Sequence, residues 1–258
     1  VQAGQPETAG HYRRMLPPGD ITSSRLALIQ VLAVQAGDPA TRSRLLDLMH
    51  ELGNAGYALL NADAAEQTFI QMLHLAETAQ NDFYRVSALI QLGRAAQMKG
   101  NLNHATDYYR QSLDLSQALG MEDGAAASLS GLGQMAFSNG AYEDAQGYFQ
   151  KALAVFRRQG WVLGQAAVLK DLGDVQLGFG RPLEAIERYQ AALDLNRELG
   201  MLDRTPTLLM LQGDAAQTAG LGDRAEAYYR EALETAREQG ATQVIQMVTE
   251  RLDRLRGV

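Results

Sequence analysis

Residues 89–93 read Leu-Ile-Gln-Leu-Gly, and related segments follow at 129–133 (Leu-Ser-Gly-Leu-Gly) and at 169–173 (Leu-Lys-Asp-Leu-Gly). The three segments lie forty residues apart, and each ends in Leu-Gly. A period between 20 and 50 residues is typical of solenoids, propellers and other repeat arrays. We therefore expect one structural unit copied along the chain, which works mainly through an extended surface built by stacking.

Four columns of recurring residues align five copies of this unit. The first column is glycine: Gly53, Gly93, Gly133, Gly173 and Gly213. Alanine follows twelve residues later: Ala65, Ala105, Ala145, Ala185 and Ala225. An aromatic residue comes four further on: Phe69, Tyr109, Phe149, Tyr189 and Tyr229. Leucine comes after four more: Leu73, Leu113, Leu153, Leu193 and Leu233. Residues at i, i+4 and i+8 share one helix face, so the last three columns predict a helix.

Leucines four residues before the glycine column, such as Leu89 and Leu129, predict a second helix in each copy. Each repeat is then two antiparallel helices, A and B, joined by a short turn at a glycine such as Gly100, which ends helix A. Pro182 suits the first turn of a helix B. The column glycine falls inside helix A, where glycine costs about 1 kcal/mol relative to alanine. It therefore indicates a close approach of helices A and B, with the alanine column as the expected partner.

The spacings of Leu-Gly, Ala, aromatic and Leu resemble those of the tetratricopeptide (TPR) repeat over residues 39–240. The usual TPR length is 34 residues, and the extra residues here lengthen helix B and its exit turn. The resemblance implies an all-α fold, an α-solenoid forming a right-handed superhelix of about five TPR helix pairs with capping helices at both ends. Similar forty-residue repeats occur in spindle-orientation scaffolds and in effector-sensing domains of bacterial STAND-type and peptide-sensing transcription regulators. The repeat type alone does not choose between these roles.

The domain organisation expected from this pattern is a flexible, Pro-containing lead at 1–20 and a single solenoid at 21–256. Within the solenoid we expect a degenerate cap helix, five repeats and a C-terminal capping helix: 21–37, about 38–80, 81–120, 121–160, 161–200, 201–240 and 241–256. The amphipathic helix at 241–256 has a polar face, as a terminal element of a solenoid requires. Its alternative role is to bind a partner or a second copy of the chain. Because the first residue is Val1, we expect a processed protein or a fragment of a longer one.

Composition favours a protein partner in the cytoplasm. The formal net charge of −7 disfavours direct binding to nucleic acid or to anionic membranes. The chain has no cysteine, so disulfides, thiolate chemistry and cysteine metal sites are excluded. No apolar stretch approaches the ~18 residues of a membrane-spanning helix.

No motif in the sequence recommends an enzyme. The four histidines form no i, i+4 pair, and neither a phosphate-binding Gly-x-x-x-x-Gly-Lys loop nor a Gly-x-Ser-x-Gly nucleophile motif is present. We therefore expect no metal, no cofactor and no catalytic residue.

The resemblance places helix A of each repeat on the concave face of the array. The residues expected there, called the inner-face residues below, are His50, Asn54, Tyr57, Ile90, Arg94, Gln97, Met98, Gln134, Phe137, Lys170, Asp174, Leu177, Met210 and Asp214. Apolar members beside the cations Arg94 and Lys170 suit a peptide or an amphipathic helix. The alternative for an apolar member such as Phe137 is a place in the core. Some TPR domains clamp a C-terminal carboxylate, but His50 stands at the clamp's lysine position, which disfavours that ligand.

Three functional hypotheses remain from the sequence. The first is a non-enzymatic scaffold that binds a peptide or helical segment in the concave groove. The second is an effector- or peptide-sensing regulatory module of a larger bacterial transcription or signalling protein. The third, which the sequence supports least, is an enzyme-like regulator such as a phosphatase-type TPR protein. Homodimerisation is compatible with each of them.

Overall fold

The computed structural model describes residues 38–59 and 61–256, and every regular element among them is helical. The α-helices of these residues are α1 (Pro39–Ala58), α2 (Ala62–Thr78), α3 (Asp82–Met98), α4 (Leu102–Ala118), α5 (Glu122–Ser138), α6 (Tyr142–Gln159), α7 (Val162–Gly178), α8 (Pro182–Glu198), α9 (Thr205–Thr218), α10 (Gly222–Glu238) and α11 (Thr242–Arg256). A short 3₁₀ helix, Leu202–Arg204, precedes α9. The predicted all-α fold of A and B helix pairs is confirmed. The lead expected at 1–20 and the cap helix expected at 21–37 lie outside the described residues.

The chain divides into two compact units, Val1–Leu115 and Ser116–Val258. In the first unit, α2 packs against both α1 and α3. In the second unit, each helix from α5 to α10 packs against the next one along the chain, and α10 packs against α11. Helices A of neighbouring repeats also touch, α5 with α7 and α9 with α11. This nearest-neighbour packing is the arrangement expected of stacked repeats.

The turns between helices follow the predicted chemistry. Gly100 and Gly140 end helices α3 and α5 with φ of 76° and 74°, a left-handed conformation that carries no penalty for glycine. In the first repeat, Gln80 ends helix B with φ 52° instead of a glycine. At the start of α1, the Asp38 side chain accepts a hydrogen bond from the Thr41 N–H at 2.9 Å. Pro182 occupies the first turn of α8, as predicted.

The glycine column faces the aromatic column, so the predicted partner of these glycines was wrong. A Cβ on Gly93 would lie 2.7 Å from the Tyr109 ring, and one on Gly133 would lie 2.6 Å from the Phe149 ring. The other three column glycines meet the ring sixteen residues later in the same way. The close approach of helices A and B is real, but its cause is the volume of a buried ring, which fills the space of the missing side chain.

Helix α11 differs from the A helices before it in the face it leaves uncovered. Its apolar side is packed, with Val248 fully buried and Leu252 at 5% exposure. Another set of its residues is exposed: Gln246, Thr249 and Asp253. Forty residues earlier, on α9, the corresponding residues are buried: Pro206, Leu209 and Gly213. The face of α11 that is polar and exposed to solvent therefore corresponds to the face of α9 that is buried in the core.

Candidate functional site

The inner-face residues fall into two groups, each described within its own compact unit. The first unit holds those of α1 and α3, and the second holds those of α5, α7 and α9. Two of them are buried among the helices, Tyr57 at 8% exposure and Met210 at 5%. These two offer little surface to a ligand, because the packing of the helices already covers them. Arg94 and Met98 are exposed, and the remaining members are partly exposed.

Tyr57 and Arg94 form the centre of the group in the first unit. The Tyr57 ring stacks on Phe69 with centroids 5.6 Å apart, and its hydroxyl donates a hydrogen bond to the backbone carbonyl of Gln91. The Arg94 guanidinium carbon lies 4.8 Å from the centroid of the Tyr57 ring. Burial raises the pKa of Tyr57 above its usual value, and the positive charge of Arg94 acts in the opposite direction. The Tyr57 ring is therefore a fixed aromatic surface against which the Arg94 guanidinium packs.

Tyr109 reaches the same group from helix B. Its hydroxyl donates to Oε1 of Gln97 at 3.3 Å. Burial raises the pKa of Tyr109 to about 12, again opposed by the charge of Arg94. The charge of Arg94 therefore acts on two buried tyrosines, Tyr57 on α1 and Tyr109 on α4.

Two further contacts join α1 and α3 within the first unit. Oγ of Ser87 and Nδ1 of His50 lie 3.1 Å apart. The Tyr84 hydroxyl donates to the Asp47 carboxylate, and burial together with this hydrogen bond raises the pKa of Tyr84 to about 12. His50 is thus engaged with a neighbouring helix, and Asp47 has a donor within the fold.

Lys170 is the centre of an ionic network in the second unit. Its Nζ lies 2.9 Å from Oδ1 of Asp171 and 2.8 Å from Oδ2 of Asp174. Gln134 on α5 donates to Oδ2 of Asp171 at 3.1 Å. Burial alone would lower the pKa of Lys170, but the two carboxylates outweigh it and raise that pKa above the usual value. The charge of Lys170 is therefore already paired within its own helix, and its expected contact with a ligand stays a prediction.

Two aromatic-column tyrosines hold the acidic inner-face residues of the second unit. The Tyr189 hydroxyl donates to Oδ1 of Asp174 at 2.6 Å, and the Tyr229 hydroxyl donates to Oδ1 of Asp214 at 2.7 Å. Burial first, and then the adjacent carboxylate, raises the pKa of both tyrosines. Arg251 of α11 also bonds Oδ1 of Asp214 through Nε at 2.6 Å. Asp214 is thus held from helix B of its own repeat and from the following helix.

The link between aromatic column and inner face was missed in the sequence, although the alignment contained a signal for it. The residue after the column glycine is aspartate in the two second-unit repeats that have tyrosine, as in Asp174 with Tyr189. In the two repeats that have phenylalanine, Phe69 and Phe149, that residue is an amide, Asn54 or Gln134. In these four repeats the hydroxyl occurs where a carboxylate is present to accept its hydrogen bond, whereas in the second repeat Arg94 follows the glycine and the Tyr109 hydroxyl bonds Gln97 instead.

An aromatic cluster lies beside the turns of the third and fourth repeats. The rings of Phe137 and Tyr142 have centroids 5.5 Å apart, and those of Tyr142 and Phe179 are 5.9 Å apart. The Arg181 guanidinium carbon lies 5.1 Å from the centroid of Phe179. Phe137 is thus partly exposed and also packed on a neighbouring ring, and its contact with a ligand stays a prediction.

Within the described residues, no group of three His, Cys, Asp or Glu side chains could hold a metal ion. In the same part of the chain, every helix is too short or too polar to span a bilayer.

Comparisons with known proteins agree on the repeat type. Two family models, each described as a tetratricopeptide repeat, match residues 85–119 and 124–198. No curated protein sequence matches the chain.

Solved structures extend the similarity over most of the chain. The chain is similar to BtubC (BKLC) from P. vanneervenii, at TM-score 0.72 and 18% identity, covering 85% of this chain and 92% of the other. It is similar to aspartyl phosphate phosphatase F from Bacillus subtilis, at TM-score 0.69 and 16% identity, covering 82% and 56%. It is also similar to the STAND protein PH0952 from Pyrococcus horikoshii, at TM-score 0.64 and 16% identity, covering 93% and 40%. At these identities the similarity establishes a common helical-repeat fold.

Proposed function

Because the chain is a tetratricopeptide-repeat protein, and such repeats form protein-interaction modules, we propose that it is a non-enzymatic scaffold. Its ligand is a peptide or helical segment of a partner protein. In each unit the binding surface consists of that unit's own exposed and partly exposed inner-face residues, supported from the core by Tyr57 in the first unit and by Met210 in the second. The net charge of −7 supports a protein partner over nucleic acid, and we propose a cytoplasmic location.

The observation that carries the proposal is the attachment of polar inner-face groups to the core. Buried tyrosines bond Gln97 in the first unit and Asp174 and Asp214 in the second. A polar group that is already held in place loses little conformational entropy when a ligand binds. Such groups orient a peptide, and partly exposed apolar neighbours such as Ile90 and Leu177 supply the surface that becomes buried.

The test is capture of partners from lysate of the source cells, followed by binding of the identified partner as a purified protein. The test variants are Arg94→Glu in the first unit and Leu177→Ser in the second. Arg110→Glu, an exposed arginine on helix B, is the matched control. We expect the test variants to lose the partner and the control to retain it. Retention by both test variants, with their thermal unfolding unchanged, would contradict the proposal.

A second candidate function is a sensing module of a larger protein. It is supported by the similarity to PH0952, which is described as a STAND protein with a tetratricopeptide repeat sensor. In that case a small effector or a short peptide is the ligand, and a rise in the thermal midpoint on adding it to the purified chain is the expected signal. A homodimer stays a proposal as well, and its test is the mass in solution. The exposed polar residues of α11, such as Gln246 and Asp253, argue against that helix as the dimer interface.

A further inference from the structure

We propose that Arg94 is the site at which the first unit recognises an acidic residue of its partner. It binds the side-chain carboxylate of an aspartate or glutamate that lies inside an extended peptide. This inference rests on the proposed scaffold function and adds the chemistry of the ligand to it.

The first argument compares the ionic state of three cations: Arg94 and Lys170 of the inner face, and Arg251 of α11. Lys170 lies between two carboxylates, and Arg251 is bonded to Asp214. Arg94 is exposed, its guanidinium lies against the Tyr57 ring, and it has no ion pair with any described residue. Among these three cations, Arg94 alone keeps its charge available for a ligand, because the fold has already neutralised the other two.

The second argument is that four acidic residues of the first unit, Asp47, Asp63, Glu66 and Asp82, have partners other than Arg94. Lys99 pairs with Asp63 at 2.8 Å and with Glu66 at 2.6 Å. Arg85 pairs with Asp82 at 2.6 Å. The Asp47 carboxylate accepts the hydrogen bond from Tyr84.

The third argument is the support beneath Arg94. Three features restrain the Tyr57 ring: it is buried, it stacks on Phe69, and its hydroxyl donates a hydrogen bond to the Gln91 carbonyl. A guanidinium resting on a fixed ring keeps N–H groups at its edge, in the fork geometry that matches a carboxylate. Arg94 is therefore pre-positioned for a carboxylate that approaches from solvent.

The arrangement favours a side-chain carboxylate over a free C-terminus. His50 stands at the position where a terminal clamp has lysine, and its Nδ1 lies 3.1 Å from Oγ of Ser87. Arg94, packed on the Tyr57 ring, is a single cation and can pair with one carboxylate. The remainder of the peptide continues along the unit past partly exposed residues such as Ile90.

The test uses a random dodecapeptide library displayed within a loop, so that no selected peptide has a free C-terminus. Peptides selected on the wild-type chain are synthesised with an amidated C-terminus, and their affinities are measured by fluorescence anisotropy. We expect enrichment of Asp or Glu. Arg94→Gln should weaken binding about tenfold or more, as should Glu→Gln in the peptide, and the double change should be no worse than either alone.

Arg110→Gln is the matched control and should leave the affinity unchanged. Binders that ignore Arg94→Gln but weaken with Ile90→Ser or Leu177→Ser would overturn the acidic-residue inference and leave the scaffold function standing. If no peptide is selected, or if binders ignore every inner-face variant, both proposals fail. Arg94 is exposed, so the variant should keep the wild-type thermal midpoint, which the same samples report.

Discussion

The hydroxyl of Tyr189 donates a hydrogen bond to Oδ1 of Asp174 at 2.6 Å, and the ring that carries it fills the space left by the missing side chain of Gly173. Asp174 follows Gly173 directly on α7, so its carboxylate lies beside this opening. The same relationship recurs between Tyr229 and Asp214. A core residue of helix B therefore fixes a charged residue on helix A, and packing is coupled to the proposed binding surface.

Substitution of Gly133 by alanine should destabilise the chain, although alanine is the better helix former. The new Cβ would lie 2.6 Å from the buried Phe149 ring, so ring or backbone must move, at about 1–3 kcal/mol. Urea unfolding followed by far-UV circular dichroism measures the change. Gly147→Ala on the partner helix α6 is the control, because nothing lies within 4 Å of its added Cβ. It should be more stable than wild type by about 0.5–1 kcal/mol, and equal effects at both sites would refute the argument.

The free energy of unfolding should fall as the pH rises above about 10. Burial and Asp174 raise the pKa of Tyr189, and Asp171 and Asp174 raise that of Lys170 despite its burial. In the unfolded chain, tyrosine and lysine each lose a proton near pH 10. A raised pKa in the folded chain means stabilisation that is complete below that pH and is lost as the pH rises towards the folded pKa. Urea titrations between about pH 8 and 11 measure this loss, and Tyr189→Phe should show a shallower loss. Identical pH profiles for both chains would exclude Tyr189 as a contributor.

Replacement of Lys170 by methionine should cost about 1–2 kcal/mol of unfolding free energy. Asp171 and Asp174 would then face each other without their shared cation, and Asp171 is only 9% exposed. The cost is below that of a fully buried pair because Lys170 is 40% exposed and screened by solvent. Arg158→Gln, which removes an exposed pair to Glu122 at 2.7 Å, should change stability by less than about 0.5 kcal/mol. Chemical denaturation compares the two, and a Lys170 variant as stable as the Arg158 control would contradict the structural role.

Gln212→Leu should stabilise the chain by about 1 kcal/mol. Gln212 is fully buried, its Oε1 has no hydrogen-bond partner, and its amide nitrogen reaches Oε1 of the partly exposed Gln190 at 2.9 Å. Leucine of similar size removes the unsatisfied oxygen, and water can replace the bond to Gln190. The reciprocal change is Leu172→Gln, forty residues earlier and 4% exposed, which should destabilise instead. Thermal and urea unfolding measure whether each variant is more or less stable than wild type. A loss of stability in Gln212→Leu would show that the Gln212–Gln190 hydrogen bond stabilises the fold by more than the unpaired Oε1 destabilises it.

The helix pairs could be predicted from sequence because each depends on local spacing. Leu89 and Gly93, or Tyr109 and Leu113, share one helix face whatever the rest of the chain does. Gly100 could be assigned to a turn for a similar reason, since a left-handed backbone strongly favours glycine. The partner of the column glycine was harder to predict. Its identity depends on how far a ring reaches between two packed helices, and the spacing of residues along one helix carries no information about that distance.

The candidate site was less predictable because its contacts cross between repeats. Arg251 and Asp214 are 37 residues apart, and only the packing of α11 on α9 brings them together. Lys170 was identified as an exposed cation from its helical position, but its neutralisation depends on the rotamers of Asp171 and Asp174. Met210 was assigned to the surface by the same helical rule, and packing buries it.

The repeats differ in whether the residue beside the column glycine can be substituted without breaking a hydrogen bond to the aromatic residue of the core. Where the ring is phenylalanine, as at Phe69, the residue beside the glycine, Asn54, receives no hydroxyl from the core. If Asn54 contacts the partner as proposed, variants there should alter recognition while leaving the core hydrogen bonds intact. Where the tyrosine hydroxyl bonds the residue beside the glycine, as Tyr189 bonds Asp174, a change at Asp174 removes that acceptor, so a new specificity there comes with a loss of stability. A directed library for altered partners should therefore begin at Asn54 and replace Tyr189 and Asp174 only as a pair.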